Sequence, residues 1–189
     1  MRVIAGQYKR RLLQSLPGND LTRPTSDRVK ESIFNIISGD IADTVVLDLF
    51  AGSGSLGIES LSRGAKKAIF VEQNFDVAKN IQLNLDNLKI NENDYILIKS
   101  DVSKFLSSNT LNSKVDIIFA DPPYRSEWYA QALEEIEKSN ICNENCTVIF
   151  EMPTNRKIQL QCNSEGWLKE DERQYGKTKI EIWRKGLKE

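Results

Sequence analysis

The 189-residue sequence predicts an α/β fold. It reads as a mainly parallel seven-stranded sheet with helices on both faces, a closing antiparallel hairpin and a short basic N-terminal extension. Three observations carry that prediction. From residue 44 onward, short runs rich in Val, Ile and Phe alternate with stretches of helical periodicity, the rhythm of strand–helix–strand crossovers. A glycine-rich segment joins the first run to the next helix. The last two extended runs are separated only by Gly176-Lys177, which is hairpin spacing.

Taken in order, residues 1–40 stand apart as an extension packed against the main domain, which spans 41–189. Residues 2–5 and 9–13 read as a short basic hairpin turned at Gly6-Gln7, and Pro17-Gly18-Asn19-Asp20 is a turn cluster. A helix follows, opened by Thr25 or Ser26 as N-cap, with Asp27 in its first turn and Val29, Ile33, Ile36 and Ile37 on one face. Residues 44–49, 67–71, 95–99, 115–120 and 146–151 read as buried strands. Phe75, Ala78, Ile81, Leu85 and Leu88 mark an amphipathic helix between the second and third. Tyr129, Ala132, Leu133 and Ile136 mark another after the fourth, with Ser126 as its N-cap. Residues 168–175 and 178–184 form the closing hairpin.

Composition excludes several chemistries. The chain has no histidine, which removes Ser-His-Asp triads, Cys-His pairs and His-ligated metals. Its three cysteines, Cys142, Cys146 and Cys162, are an odd number without a second metal-binding pair, so they predict neither a disulfide framework nor a zinc site. No apolar run exceeds four residues and the start has no signal-peptide core, so a cytoplasmic protein with no membrane span and no metal is expected. Net charge is −1, from 26 basic and 27 acidic residues, but it is unevenly spread. Residues 1–30 carry Arg2, Lys9, Arg10, Arg11, Arg23, Arg28 and Lys30 against Asp20 and Asp27, a net of +5, leaving −6 for the rest. Such asymmetry points to a polyanion-binding arm on a near-neutral body, or to a solvated charged turn.

The chemistry gathers at the strand ends. The first strand runs into Asp48-Leu-Phe-Ala-Gly-Ser-Gly-Ser-Leu-Gly57, a G-x-G-x-x-G pattern between a strand and a helix. Such a loop offers backbone N–H groups at a helix N-terminus, to a dinucleotide or to S-adenosylmethionine. Asp48 favours the second, because a carboxylate there suits a methionyl ammonium and opposes a pyrophosphate; it could also simply cap the loop. Glu72 ends the second strand, where it would accept from ribose hydroxyls of either cofactor. Asp101 and Val102 follow the third strand, placed for an adenine amine and ring; by itself Asp101 also reads as the N-cap of the next helix. After the fourth strand comes Asp121-Pro122-Pro123-Tyr124. The two prolines stiffen the loop. The Asp121 carboxylate and Pro122 carbonyl would accept from an exocyclic base amine, turning its lone pair toward a methyl donor while Tyr124 stacks on the base.

With Asp48 to Gly57 followed by Asp121-Pro-Pro-Tyr124, the chain resembles the Rossmann-like class I amino-methyltransferases. The head, Met1-Arg-Val-Ile-Ala-Gly-Gln-Tyr8 with Arg23-Pro-Thr-Ser-Asp-Arg-Val-Lys-Glu-Ser-Ile-Phe-Asn35, is similar to the bacterial RsmD family, as is the tail Tyr175-Gly-Lys-Thr-Lys-Ile-Glu-Ile-Trp183. The resemblance covers nearly the whole chain. It implies methyl transfer from S-adenosylmethionine to N2 of one guanine in 16S rRNA, within an assembled or assembling 30S subunit, by a monomer. It implies a cofactor site of Thr25, Asp48, Phe50, Ala51, Gly52, Ser53, Gly54, Gly57, Glu72, Gln73, Asp101 and Val102. Asp121, Pro122, Pro123 and Tyr124 would hold the guanine, and Arg2, Lys9, Arg10, Arg11, Arg23 and Arg28 would meet RNA phosphates. Three other classes fit less well. An adenine-N6 DNA methyltransferase shares the Asp-Pro-Pro-Tyr chemistry but needs a sequence-reading region. A cytosine-C5 enzyme needs a cysteine nucleophile in a loop after strand four or five, and Cys142 and Cys146 fall before or at the start of strand five. A nicotinamide-binding or non-catalytic nucleotide-binding protein would share the glycine loop and Glu72, but not Asp48 or Asp121.

Overall fold

The computed structural model describes residues 1–15, 26–108, 111–123, 128–154 and 166–186. Seven strands form one sheet in the order β3-β2-β1-β4-β5-β7-β6. They are β1 (Val45–Asp48), β2 (Lys67–Glu72), β3 (Tyr95–Lys99), β4 (Val115–Ala120), β5 (Cys142–Pro153), β6 (Trp167–Tyr175) and β7 (Thr178–Lys185). The first five are mutually parallel, β7 is antiparallel to β5, and β6 to β7. Among the described residues, five α-helices accompany them: α1 (Asp27–Ile36), α2 (Ser55–Ser62), α3 (Phe75–Leu88), α4 (Val102–Ser108) and α5 (Ala132–Ser139).

Strand alternation divides the core between two faces. Val46, Ile117, Phe119, Ile149 and Ile182 point to one side and pack under α1, while Ala68 and Phe70 lie under α2 and α3. Leu47, Ile69, Val71, Ile118, Val148 and Phe150 point to the other side and pack under α4 and α5. Val3 and Leu13 of the N-terminal segment are buried in the same cluster as α2 and α3. Ser26 caps α1, its Oγ accepting from Val29 N at 3.3 Å.

Four local details differ from the sequence reading. β3, expected as a buried strand, lies at the sheet edge and has no buried residue. β5 begins at Cys142 rather than residue 146, because Asn143-Glu144-Asn145 form an irregularity: Val115 is opposite Cys142, but Ile117 is already opposite Thr147. Asp116 holds that polar stretch in place, accepting from the Asn143 amide through one oxygen and from Val45 N at 2.8 Å through the other. Tyr129 lies in a separate 3-10 turn (Trp128–Ala130), not in α5. The N-terminal hairpin is real but shallow. It has one bridge, Arg2 with Leu12, and its turn extends from Gly6 through Arg10. Pro17 to Asp20 and Ser126 lie outside the described residues.

A buried carboxylate fastens the hairpin. Glu59 of α2 accepts from Ile4 N at 2.8 Å, Ala5 N at 3.0 Å and Arg63 Nε at 2.8 Å, with Lys30 Nζ at 3.3 Å. The Lys30 and Glu59 side chains have no exposed surface. Lys30 also donates to the Arg2 carbonyl at 2.7 Å. This cation, counted above in the basic excess of the arm, is therefore structural. Burial lowers its pKa from the usual lysine value, against the opposing pull of Glu59. Glu59→Ala is expected to destabilise the fold by about 3–5 kcal/mol, the cost of leaving a buried charge unpaired. Urea unfolding followed by circular dichroism checks this; a midpoint within error of the wild type would refute it.

Candidate active site

The first strand of the sheet ends in the loop that matters most. After Asp48, Leu49 N donates to Phe119 O at 3.0 Å and Ala51 N to Val71 O at 3.1 Å, so the loop rises between the carboxyl ends of β4 and β2. Gly52 and Gly54 then take φ of +53° and +78°, a backbone that L side chains rarely adopt. Gly54 closes the turn onto Ala51 O and serves as N-cap of α2. Gly57 has a packing role: a Cβ there would stand 2.2 Å from Phe70 Cε1, so its absence lets α2 lie against β2.

Two carboxylates flank this loop. Asp48 is buried, and its Oδ2 accepts from Gly57 N at 3.2 Å. Burial pushes its carboxyl up to about 7; the Gly57 N–H opposes the shift and the nearby charge of Glu72 adds to it. Both expected roles, cap of the loop and ligand for a cation, are thus compatible, since one N–H leaves lone pairs over. Glu72 is half-buried, accepting from Gly52 N at 3.1 Å and from Asn74 N at 2.8 Å. Gln73 beside it is exposed. A desolvated acid that gains from a cation, beside an acid with two fixed oxygens, suits the ammonium and ribose hydroxyls of S-adenosylmethionine.

The remaining expected cofactor residues are placed as follows. Asp101 is exposed and caps α4, accepting from Lys104 N at 3.0 Å, while Val102 is buried in the core beneath α4. Phe50 meets Trp128 edge-on with ring centroids 5.1 Å apart. Ala51 is buried. The Ser53 carbonyl accepts from Asn84 Nδ2 at 3.1 Å. Thr25 lies outside the described residues.

Asp121 emerges half-buried directly after β4, followed by buried Pro122 and exposed Pro123; Tyr124 lies outside the described residues. β4 is the immediate neighbour of β1, so Asp121 and the glycine loop share one end of the sheet at the point where the strand order reverses, where open α/β sheets bind ligands. Tyr129, fully buried, donates to Glu151 O at 2.8 Å, with Pro122 O a second acceptor at 3.2 Å. That contact braces the proline turn against β5 and leaves the second lone pair of the Pro122 carbonyl available.

The basic residues separate into two groups. Arg2 pairs with Asp27 at 3.0 Å, and Arg28 is exposed one position further along α1. Lys9, Arg10 and Arg11 sit at the hairpin turn, where Gln7 N donates to Ser62 O at 2.7 Å and Arg11 Nη2 to Asn87 O at 3.1 Å. Ser62 ends α2 and Asn87 nears the end of α3. The turn is therefore about 12 Å from the glycine loop, the length of an eight-residue helix. Arg23 lies outside the described residues.

Sequence reasoning passed over two supporting residues. Tyr129 stands in an apolar stripe of the sequence, although a buried tyrosine hydroxyl needs a partner. Asn84, also buried, accepts from Gln14 N at 2.8 Å and donates to Gln14 O at 3.0 Å as well as to Ser53 O, tying the N-terminal segment to the glycine loop. The signal was present: Asn80 and Asn84 are one turn apart beside the stripe of α3, and Asn80 also donates to Gln14 O at 2.9 Å.

The sheet order, with the glycine loop after β1, the acids ending β1 and β2 and Asp121-Pro122-Pro123 after β4, is that of a Rossmann-like class I methyltransferase fold. A family model described as Conserved hypothetical protein 95 matches residues 1–184. The chain belongs to this family, the RsmD family of methyltransferases. It is 36% identical over 158 residues to the Ribosomal RNA small subunit methyltransferase D of Haemophilus influenzae, covering 84% of this chain and 81% of that protein. The solved structure of the Escherichia coli protein yhhF aligns with a TM-score of 0.85 at 28% identity, over 100% of this chain and 99% of that one. In fold alone, the RNA methyltransferase of Salinibacter ruber, solved with S-adenosyl-L-homocysteine, aligns with a TM-score of 0.64 at 14% identity, over 88% and 95% of the two chains.

The Asp48 carboxyl, raised from 3.8 to about 7, keeps its proton in the folded state where the unfolded chain has lost it. Folding stability contributed at this site therefore falls as pH rises between about 4 and 7. In the Asp48→Asn variant that slope is removed. Its stability relative to wild type should rise by on the order of 4 kcal/mol between about pH 4 and pH 8. Denaturant unfolding at both pH values measures this, and an unchanged difference would count against a buried acid.

Proposed function

We propose that the protein transfers a methyl group from S-adenosylmethionine to the exocyclic N2 of a guanine in 16S rRNA of the small ribosomal subunit. The observation that carries this reading is the placement of Asp121 and the Pro122 carbonyl beside the glycine loop, at the end of the sheet where α/β folds bind ligands. S-adenosylmethionine supplies an electrophilic methyl group on a sulfonium. Asp48 is suited to hold its ammonium, Glu72 its ribose hydroxyls, and Gly52, Ser53 and Gly54 its backbone-facing edge. Phe50, Ala51, Gly57, Gln73, Asp101, Val102 and Thr25 complete the proposed cofactor set.

The acceptor amine is a poor nucleophile because its lone pair is delocalised into the base. Asp121 and Pro122 O, both acceptors, draw its two hydrogens out of the ring plane and so free the lone pair. Tyr129 and the second proline hold that carbonyl still, and Tyr124 is proposed as the stacking partner of a base turned out of its own stack. Arg2, Lys9, Arg10, Arg11, Arg23 and Arg28 are proposed to meet RNA phosphates. The Haemophilus relative's name, a small-subunit rRNA methyltransferase, supports the same substrate class. A monomer in the cytoplasm, acting on an assembled or assembling 30S particle, completes the proposal.

Nucleoside mass spectrometry of 16S rRNA from a strain lacking the gene tests it: one N2-methylguanine should disappear and return on complementation. An unchanged nucleoside profile would reject the assignment. In the purified enzyme, Asp121→Asn should bind S-adenosylhomocysteine as wild type does by calorimetry yet lose methyl transfer by about 10²–10³-fold, the usual cost of one preorganised electrostatic contact. Wild-type turnover in this variant would remove Asp121 from the mechanism.

A further inference from the structure

The tip of the β6–β7 hairpin has no role in the proposal above, yet the sheet register sets it at the same end of the sheet as Asp121, with β7 two strands from β4. Phe150 is opposite Ala120, the last residue of β4, and Pro153 is opposite Thr178. Thr178 therefore stands three residues further along β5, about 10 Å beyond the level at which Asp121 leaves the sheet. Gly176 and Lys177 project from there.

The tip is held firmly. Thr154 N donates to the Lys177 carbonyl at 3.0 Å, the Tyr175 hydroxyl bonds to Ser32 of α1, and the Arg28 guanidinium lies 6.0 Å from the Tyr175 ring centre. The charges of the hairpin are almost all neutralised locally. Lys169, Arg173, Lys179, Arg184 and Lys185 each have a carboxylate at 2.5 to 3.2 Å. Lys177, which is exposed, is the one hairpin cation with no such partner among the described residues. Arg28, whose guanidinium lies 6.0 Å from the ring of Tyr175 two residues before Lys177, also has no carboxylate partner among the described residues. Two uncompensated cations on a braced surface, above the end of the sheet that carries Asp121, form a site for a polyanion backbone.

We infer that Lys177, with Arg28, binds phosphates of the RNA strand flanking the acceptor guanine, a contact separate from the Lys9–Arg11 turn. The inference rests on the RNA-methyltransferase reading. It also gives the two basic groups different tasks. The Lys9–Arg11 turn lies at the far end of α2 and is assigned a separate stretch of the RNA, whereas Lys177 and Arg28 orient the strand that enters the site.

The test compares wild type, Lys177→Glu, Lys177→Arg and a triple charge reversal at Lys9, Arg10 and Arg11. The substrate is small-subunit particles or 16S rRNA from the strain lacking the gene. Methyl transfer is followed with labelled S-adenosylmethionine, and RNA affinity is measured across salt. Lys177→Glu should raise KM for RNA, leave kcat at saturating RNA and S-adenosylhomocysteine affinity unchanged, and flatten the salt dependence by about one phosphate contact. Between about 50 and 200 mM salt it should thus lose about threefold less affinity than wild type does. Lys177→Arg should retain wild-type values. Wild-type KM and salt slope in Lys177→Glu would overturn the hairpin contact while leaving the enzyme reading intact. Failure of the wild type to methylate either substrate would overturn that reading and this contact with it.

Discussion

The Glu59 carboxylate has no contact with water, and a charge in that position is tolerated only if donors surround it. The chain meets the requirement from three separate stretches: backbone N–H groups of residues 4 and 5, the Lys30 ammonium, and the Arg63 guanidinium. Satisfying one side chain therefore fixes the N-terminal hairpin, α1 and α2 relative to one another. Because α2 begins at Gly54 and α1 at the capping Ser26, the same network sets how the glycine loop stands to the start of α1 and, through Tyr175, to the hairpin tip. Gly6 completes the fit, since a Cβ there would stand 1.7 Å from the Ser62 carbonyl oxygen.

Around that rigid junction the proposed site would use carboxylates in two ways. Asp48 is desolvated and gains from any cation brought to it, which suits recognition of a charged small molecule. Asp121 is half-buried at the carboxyl end of β4, where the proposed acceptor for a neutral amine would stand. Neither role requires imidazole or a metal, so a chain without histidine can carry out the proposed chemistry by orientation alone. Tyr129 and Asn84 supply that orientation from behind: one braces the Pro122 turn, the other the Ser53 carbonyl.

Much of this was legible in sequence for identifiable reasons. Strands β2 and β4 are central and buried, and β3, although an edge strand with no buried residue, is apolar enough along the chain to be located within a residue; Gly176-Lys177 marks the hairpin turn. Legibility failed where polar residues join a strand for tertiary reasons. Asn143 to Asn145 look like a turn, but Asp116 and the neighbouring β4 keep them in β5. It failed again at Lys30, which composition places on a basic surface and packing places in the interior. Asp101 shows the opposite case: its capping role was readable from position alone, and the hydrogen bond to Lys104 N is there.

The sequence by itself determined the order of elements, the glycine loop, the carboxylates ending β1 and β2 and the Asp-Pro-Pro-Tyr motif. These are local: periodicity, backbone freedom and residue chemistry are properties of neighbours along the chain. Only the tertiary structure decided which cations are spent on internal pairs and which remain for a partner. Lys30 finds Glu59, and Gln14 finds Asn84, across 29 and 70 residues of chain; Lys177 finds no carboxylate among the described residues. Charge pairing depends on distance through space, and no count of basic residues along the sequence contains it.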